Sequence, residues 1–169
     1  LMCNKGDYEA AESLHRRALE GRETALGAQH SQTLVSIEGL AITIGNKGDY
    51  AVAEPLYRRA LEGFTYAFGP GHPRTLGLVS AIHRLALHLF RKGEGNAVEA
   101  MLRLALEGSE LVYGTASPFT LTCADLLAHL LNQQDRRPEA IQLLRPYAFY
   151  WREDETCVPA HDLAYNLAC

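Results

Sequence analysis

Apolar side chains recur along this chain at three- and four-residue steps. Within residues 33–44, Leu34, Ile37, Leu40, Ala41 and Ile44 make one stripe; within 49–63, Val52, Ala53, Leu56, Tyr57, Ala60 and Leu61 make another. That spacing is the signature of an amphipathic α-helix with a single apolar face. Glu54, Arg58, Arg59 and Glu62 fall mostly elsewhere around the second helix. Period-two alternation, which would mark a half-buried strand, does not occur in the sequence, so the chain reads as all-α. The predicted helices are 7–26, 31–46, 49–68, 73–92, 96–112, 117–133, 137–151 and 159–169, after the tail of an earlier one at 1–4.

The punctuation between stripes agrees with these bounds. Asp7 and Asp49 stand where a carboxylate oxygen can accept the free N–H groups of a first helical turn, directly after Gly6 and Gly48 at the tight turns. Ser117-Pro118 reads as a capping residue followed by proline at the first helical position, where no N–H is needed. His72-Pro73 follows the same logic with a poorer cap. Pro55 and Pro146 fall inside predicted helices, where each removes a backbone bond; Pro146 should end the last regular helix early and Pro55 should kink or end its own.

The stripes belong to a repeat. Residues 4–21 (NKGDYEAAESLHRRALEG) and 46–63 (NKGDYAVAEPLYRRALEG) agree at 14 of 18 positions at an offset of 42. A third copy at 92–108 follows at an offset of 45, and a weaker fourth at 135–147 returns to 42. Between them recurs a second signature: AQHSQTL (28–34), PGHPRTL (70–76), TASPFTL (115–121) and a weak VPAHDL (158–163). Thr33 to Gly48 is 15 residues but Thr75 to Gly93 is 18, so three extra residues enter the helix at 73–92 or its loop. Each unit is thus a pair of helices with two distinct junctions, and a unit that cannot bury its apolar face alone must stack on its neighbours.

The arrangement GDYxxAExLxRRALEG followed by HPxTL resembles the tetratricopeptide (TPR) repeats of kinesin light chains and their relatives. The resemblance covers essentially the whole chain. It implies one repeat domain over 1–169, with units near 1–26, 31–68, 73–112 and 117–151 and a partial unit at 159–169. It implies a right-handed superhelical stack of antiparallel helix pairs, the first helix of each pair lining a concave groove. The small and apolar positions of the family are matched by Ile37, Leu40, Ala41, Ile44, Gly48, Ala53, Tyr57 and Ala60; by Ala11, His15 and Ala18; by Leu85, Ala86, Leu89, Val98, Leu102 and Ala105; and by Leu127, Ala128, Leu131, Ala140, Leu144 and Tyr147. Kinesin light chains often carry an Asn pair before the Leu-Ala of the first helix, but here those places hold Glu38-Gly39, His83-Arg84 and Asp125-Leu126. Only Tyr165-Asn166 follows the pattern, so motor-cargo adaptation is not carried over.

On that geometry the groove collects Val35, Glu38, Ile42 and Asn46 from one helix, Ser80, His83, Leu87 and Phe90 from the next, and Thr122, Asp125, His129 and Asn132 from a third. The row lacks the Lys and Arg that an acidic tail would need, and fits a partly apolar ligand with a few polar or basic groups. The expected role is a scaffold binding a protein or peptide segment. The alternatives are a regulatory module docking on an effector domain of the same longer protein, or a self-association element. The chain opens without Met and ends at Cys169 inside an apolar run, and is read as a piece of something longer.

Composition narrows the rest. The chain is 47% hydrophobic and 21% charged with a formal net charge of −4, which supports a core and argues against nucleic acid as partner. No apolar run approaches the ~18 residues of a membrane span. Cys3, Cys123, Cys157 and Cys169 lie far apart with no CxxC pair, which suits reduced thiols in a cytoplasmic setting and not a metal site. His83 and His88 are five apart, unlike the i, i+4 pair of a metalloprotease helix; Asp125 and His129 have that spacing but no nucleophile beside them. No enzyme activity and no cofactor are expected. Arg16-Arg17, Arg58-Arg59 and Arg103 recur once per unit, and Glu12 and Glu54 four residues before Arg16 and Arg58 suit helical ion pairs better than a basic ladder. The aromatic cluster Tyr147, Phe149, Tyr150 and Trp151 either covers the last core or offers an interface.

Overall fold

The structure, a computed structural model, describes residues 5–93 and 95–150. Among these the chain forms seven α-helices: α1 (Lys5–Leu26), α2 (Ser31–Lys47), α3 (Tyr50–Phe68), α4 (Pro73–Lys92), α5 (Gly95–Tyr113), α6 (Pro118–Gln133) and α7 (Arg137–Leu144). A 3₁₀ turn over Arg145–Tyr147 follows α7, and no strand occurs among the described residues. The expected helix at 159–169 and tail at 1–4 lie outside them. The backbone divides into two compact units, Leu1–Ile82 and His83–Cys169.

The second recurring signature has a mechanical role. Gly27, Gly69 and Gly114 follow α1, α3 and α5 with φ of 88°, 87° and 81°, a left-handed turn that a Cβ would strain. Thr33, Thr75 and Thr120, all buried, donate their hydroxyls to the carbonyl oxygens of those glycines at 2.9, 2.9 and 2.7 Å. Each loop is thereby tied to the first turn of the next helix. His30 and His72 complete the junction, their Nδ1 atoms accepting the N–H of Gln32 and Arg74 at 3.2 Å, so His72 does cap.

In the first unit α1 packs on α2 and α2 on α3. The core is Leu34, Ile37, Leu40, Ala41 and Ile44 of α2 with Ala53, Tyr57, Ala60, Leu61 and Phe64 of α3. Ala11, His15 and Ala18 of α1 are half-buried. Helices approach closely at Gly39, where a Cβ would lie 2.9 Å from His15 Cε1. In the second unit α5 packs on α6 and α6 on α7, burying Val98, Leu102, Ala105, Leu127, Ala128, Leu131, Ala140, Leu144 and Tyr147. In α4, Ala86 and Leu89 are buried and Leu85 is half-buried.

Several expectations are corrected. Helix α1 already runs from Lys5, so Gly6 and Asp7 sit in its first turn and not before it. Asp49 holds the capping position of α3 and Ser117 that of α6, but neither side chain makes a capping bond. Gly48, at φ 97°, does end α2, giving its N–H to Gly45 O. Val52 is 41% exposed, because the stripe on α3 turns past it toward Ala53 and Leu56. Pro55 lies inside an unbroken α3 and does not end it. Pro146 acts as expected, with α7 giving way to the 3₁₀ turn at Arg145. The three extra residues lengthen α4 to 20 against 17 in α2; both start directly after a capping histidine, so the gain comes at the far end.

Candidate binding surface

Of the recurring arginines, Arg16, Arg58, Arg59 and Arg103 form ion pairs from the second helices. Glu12 takes Arg16 at 2.7 Å and Lys47 of α2 at 3.0 Å; Glu54 takes Arg58 at 2.9 Å; Glu99 takes Arg103 at 2.9 Å and Arg136 at 2.7 Å. Arg59 reaches back to Glu23 at 2.5 Å. The Lys47 ammonium holds the Glu12 carboxyl below its ordinary range, and Arg136 does the same for Glu99. Local spacing foretold the i, i+4 pairs. The partners from the neighbouring repeat, Lys47 and Arg136, were missed, because nothing local marks a contact 35 or 37 residues away.

The first helices differ. On α2, Val35 and Glu38 are half-buried while Ile42 and Asn46 are exposed, so the four trace one edge beside the buried stripe. Burial pushes the Glu38 carboxyl above its ordinary range, partly offset through space by Arg74 on α4. The same burial pushes the neighbouring Tyr57 phenol up to about 12, with the Glu38 charge adding to it. Ser80 on α4 is half-buried and donates to Leu76 O at 2.9 Å.

In the second unit Leu87 and Phe90 of α4 and Thr122, Asp125, His129 and Asn132 of α6 are all half-buried. The Phe90 and His129 rings meet edge to face at 5.8 Å, and His129 Nε2 lies 2.9 Å from Gln133 Nε2. Beside them Phe90, Gly93, Val98, Leu130 and Gln133 line an open depression of about 440 Å³. Thr122 donates to Pro118 O at 2.7 Å.

His83 departs from the expected row. It is only 7% exposed, its Nδ1 lies 3.0 Å from Cys123 Sγ on α6, and Phe119 stands edge-on at 5.4 Å. The side chain therefore belongs to the core of the second unit, whereas His88 is exposed. Burial pushes the Cys123 thiol up to about 12, with the Ser109 hydroxyl pulling the other way, so it stands as an unreactive thiol. Burial likewise holds His83 below the ordinary imidazole range. A buried neutral ring favours folding above the unfolded pKa and withdraws that support as pH falls below it. The urea midpoint is therefore expected to drop between pH 7.5 and 5.5, and to drop less in His83→Gln. Equal drops in the two proteins would show that His83 does not carry the effect.

Among the described residues no group of three or more His, Cys, Asp or Glu is placed to hold a metal ion, and no helix is long and apolar enough to cross a membrane. Tyr147 closes the last core and hydrogen-bonds Glu110, Phe149 is 67% exposed, and Trp151 lies outside the described residues.

Comparison with known proteins agrees with this architecture. Residues 1–65 and residues 120–146 each match a family model described as tetratricopeptide repeat. The fold is similar to a crystal structure of nearly identical TPR-like repeats from Podosopora anserina, in a protein assigned as a kinesin light chain. The TM-score is 0.52 at 19% identity, covering 96% of this chain and 77% of that one. A form of the same repeats carrying one glutamine-to-methionine substitution gives 0.52 and 19%, covering 96% and 76%. At that identity the likeness concerns the fold alone. Among curated proteins, none matches the chain.

Proposed function

We propose, for a chain that belongs to the tetratricopeptide-repeat proteins, a role as an interaction module that holds a segment of a partner protein against the exposed edges of its first helices. Tetratricopeptide repeats in general mediate protein–protein interaction. One observation carries the choice of surface. The second helices carry the recurring Glu–Arg pairs of Glu12 with Arg16, Glu54 with Arg58 and Glu99 with Arg103, whereas α2 leaves Val35, Glu38, Ile42 and Asn46 as a mixed apolar and polar edge. In the second unit Phe90 and Gln133, which line the depression, offer a comparable mixture. Such edges suit a partly apolar segment anchored by a few polar contacts.

The test uses peptides selected from a random phage-displayed library on the immobilised chain. Ile42→Asp is expected to weaken a selected peptide by about tenfold or more, since it sets a charge on a contact that must lose water. Arg58→Glu on α3 is expected to change affinity little. Hydrogen-exchange protection confined to the second helices would overturn the reading. A second reading, self-association, is favoured by Leu14 of α1, which is 64% exposed. Concentration-dependent sedimentation abolished by Leu14→Glu would select it.

A further inference from the structure

Resting on the reading of α2 as a binding edge, we propose that the partner segment brings a lysine or arginine side chain to Glu38 and lays an adjacent aliphatic side chain on Ile42 and Val35. Glu38 differs from the paired glutamates of both units. Glu12, Glu23, Glu54, Glu99 and Glu139 each hold an arginine or lysine. Glu38 makes neither a hydrogen bond nor an ion pair with any described residue; Arg74 acts on it only through space. Yet its side chain is half-buried, between exposed Ile42 one turn on and half-buried Val35 one turn back.

A carboxylate that has lost part of its water and gained no partner is a standing cost to the free protein. Burial raises the Glu38 carboxyl by more than Arg74 lowers it through space, and the Glu38 charge adds to the rise that burial gives the Tyr57 phenol. A cation arriving from outside recovers that cost on binding. The flanking Val35 and Ile42 exclude water from the pair and strengthen it. A metal ion fits poorly, since no group of three ligands is placed there among the described residues. Neutral donors would satisfy the oxygens but leave the charge unmatched.

The experiment selects peptides from a random library on wild type, Glu38→Gln and Glu38→Lys, and titrates one synthetic wild-type binder by fluorescence anisotropy. Wild type is expected to enrich Lys or Arg next to an aliphatic residue, Glu38→Gln to lose the cation but keep the aliphatic residue, and Glu38→Lys to enrich Asp or Glu. Replacing the peptide's cation with norleucine should cost about tenfold on wild type and almost nothing on Glu38→Gln. The free Glu38→Gln protein should have a urea midpoint equal to or above wild type; a lower midpoint would mean Glu38 serves the fold, and the inference falls. Peptides that bind through Ile42 without any cationic preference overturn the inference while leaving the binding edge intact. If no peptide is enriched, or if Ile42→Asp leaves binding unchanged, the binding edge itself fails and this inference with it. Wild-type self-association that Glu38→Gln abolishes would make a second copy the occupant and likewise overturn it.

Discussion

Gly63→Ala is expected to destabilise the protein by about 2 kcal/mol, while Gly21→Ala, in an identical RRALEG context, is expected to stabilise it by up to about 1 kcal/mol. Both glycines lie inside helices, where alanine gains roughly 1 kcal/mol of propensity. A Cβ at Gly21 would meet nothing within 4 Å, so the whole gain is kept. A Cβ at Gly63 would overlap Leu34 Cδ2 and lie 3.0 Å from Cδ1 and 3.2 Å from Cγ. Leu34 is 1% exposed and has no open space to retreat into, so overpacking of about 3 kcal/mol outweighs the propensity gain. Urea unfolding followed by helical circular dichroism reads both changes. Trimming Leu34 to alanine should erase the penalty of Gly63→Ala in a double-mutant cycle. Equal signs for the two glycine changes would disprove the close approach of α3 to α2.

Pro55→Ala is expected to stabilise the protein by about 2 kcal/mol. Pro55 is the sixth residue of α3 and has no N–H to give the Ala51 carbonyl, and its ring crowds that oxygen. An interior proline costs about 3 kcal/mol relative to alanine; the stiffer unfolded chain returns up to about 1 kcal/mol of that. Pro55 is exposed, so no packing is lost with the ring. The first repeat carries Ser13 at the same place, which shows that the repeat does not require proline there. The midpoint should rise, and amide exchange over Ala51–Arg58 should slow. A lower midpoint would mean that the ring serves a contact outside the helix.

Much of the fold was legible because helices are local objects. The stripe Leu34, Ile37, Leu40, Ala41 and Ile44 needs only its own spacing to be recognised, and all five are buried. The bounds of α4 match the reading to the residue, since Pro73 opens it and Gly93, at φ 73°, stops it. The family positions from Ile37 to Tyr147 are almost all in the cores, with Leu85 and the α1 residues half-buried. The candidate surface was legible only as an edge. The groove pattern sets His83 in register with Glu38, but because α4 gains its extra residues at its far end, His83 falls at the place of the buried Ala41 and its ring meets Cys123, 40 residues away.

What the sequence determined alone is the unit: a helical pair of 42 to 45 residues, where it starts, where it turns, and which stripe of each helix must leave water. Periodicity, glycine and proline act within one or two turns, so they can be read without knowing the neighbours. What only the tertiary structure decided is the fate of residues that the repeat makes identical. Gly21 is open and Gly63 is pressed on Leu34; Glu12 pairs with both Arg16 and Lys47, its equivalent Glu54 with Arg58. The contacts that separate them span 29 and 35 residues, and whether such a contact exists depends on the helix stacked alongside, which no local pattern specifies.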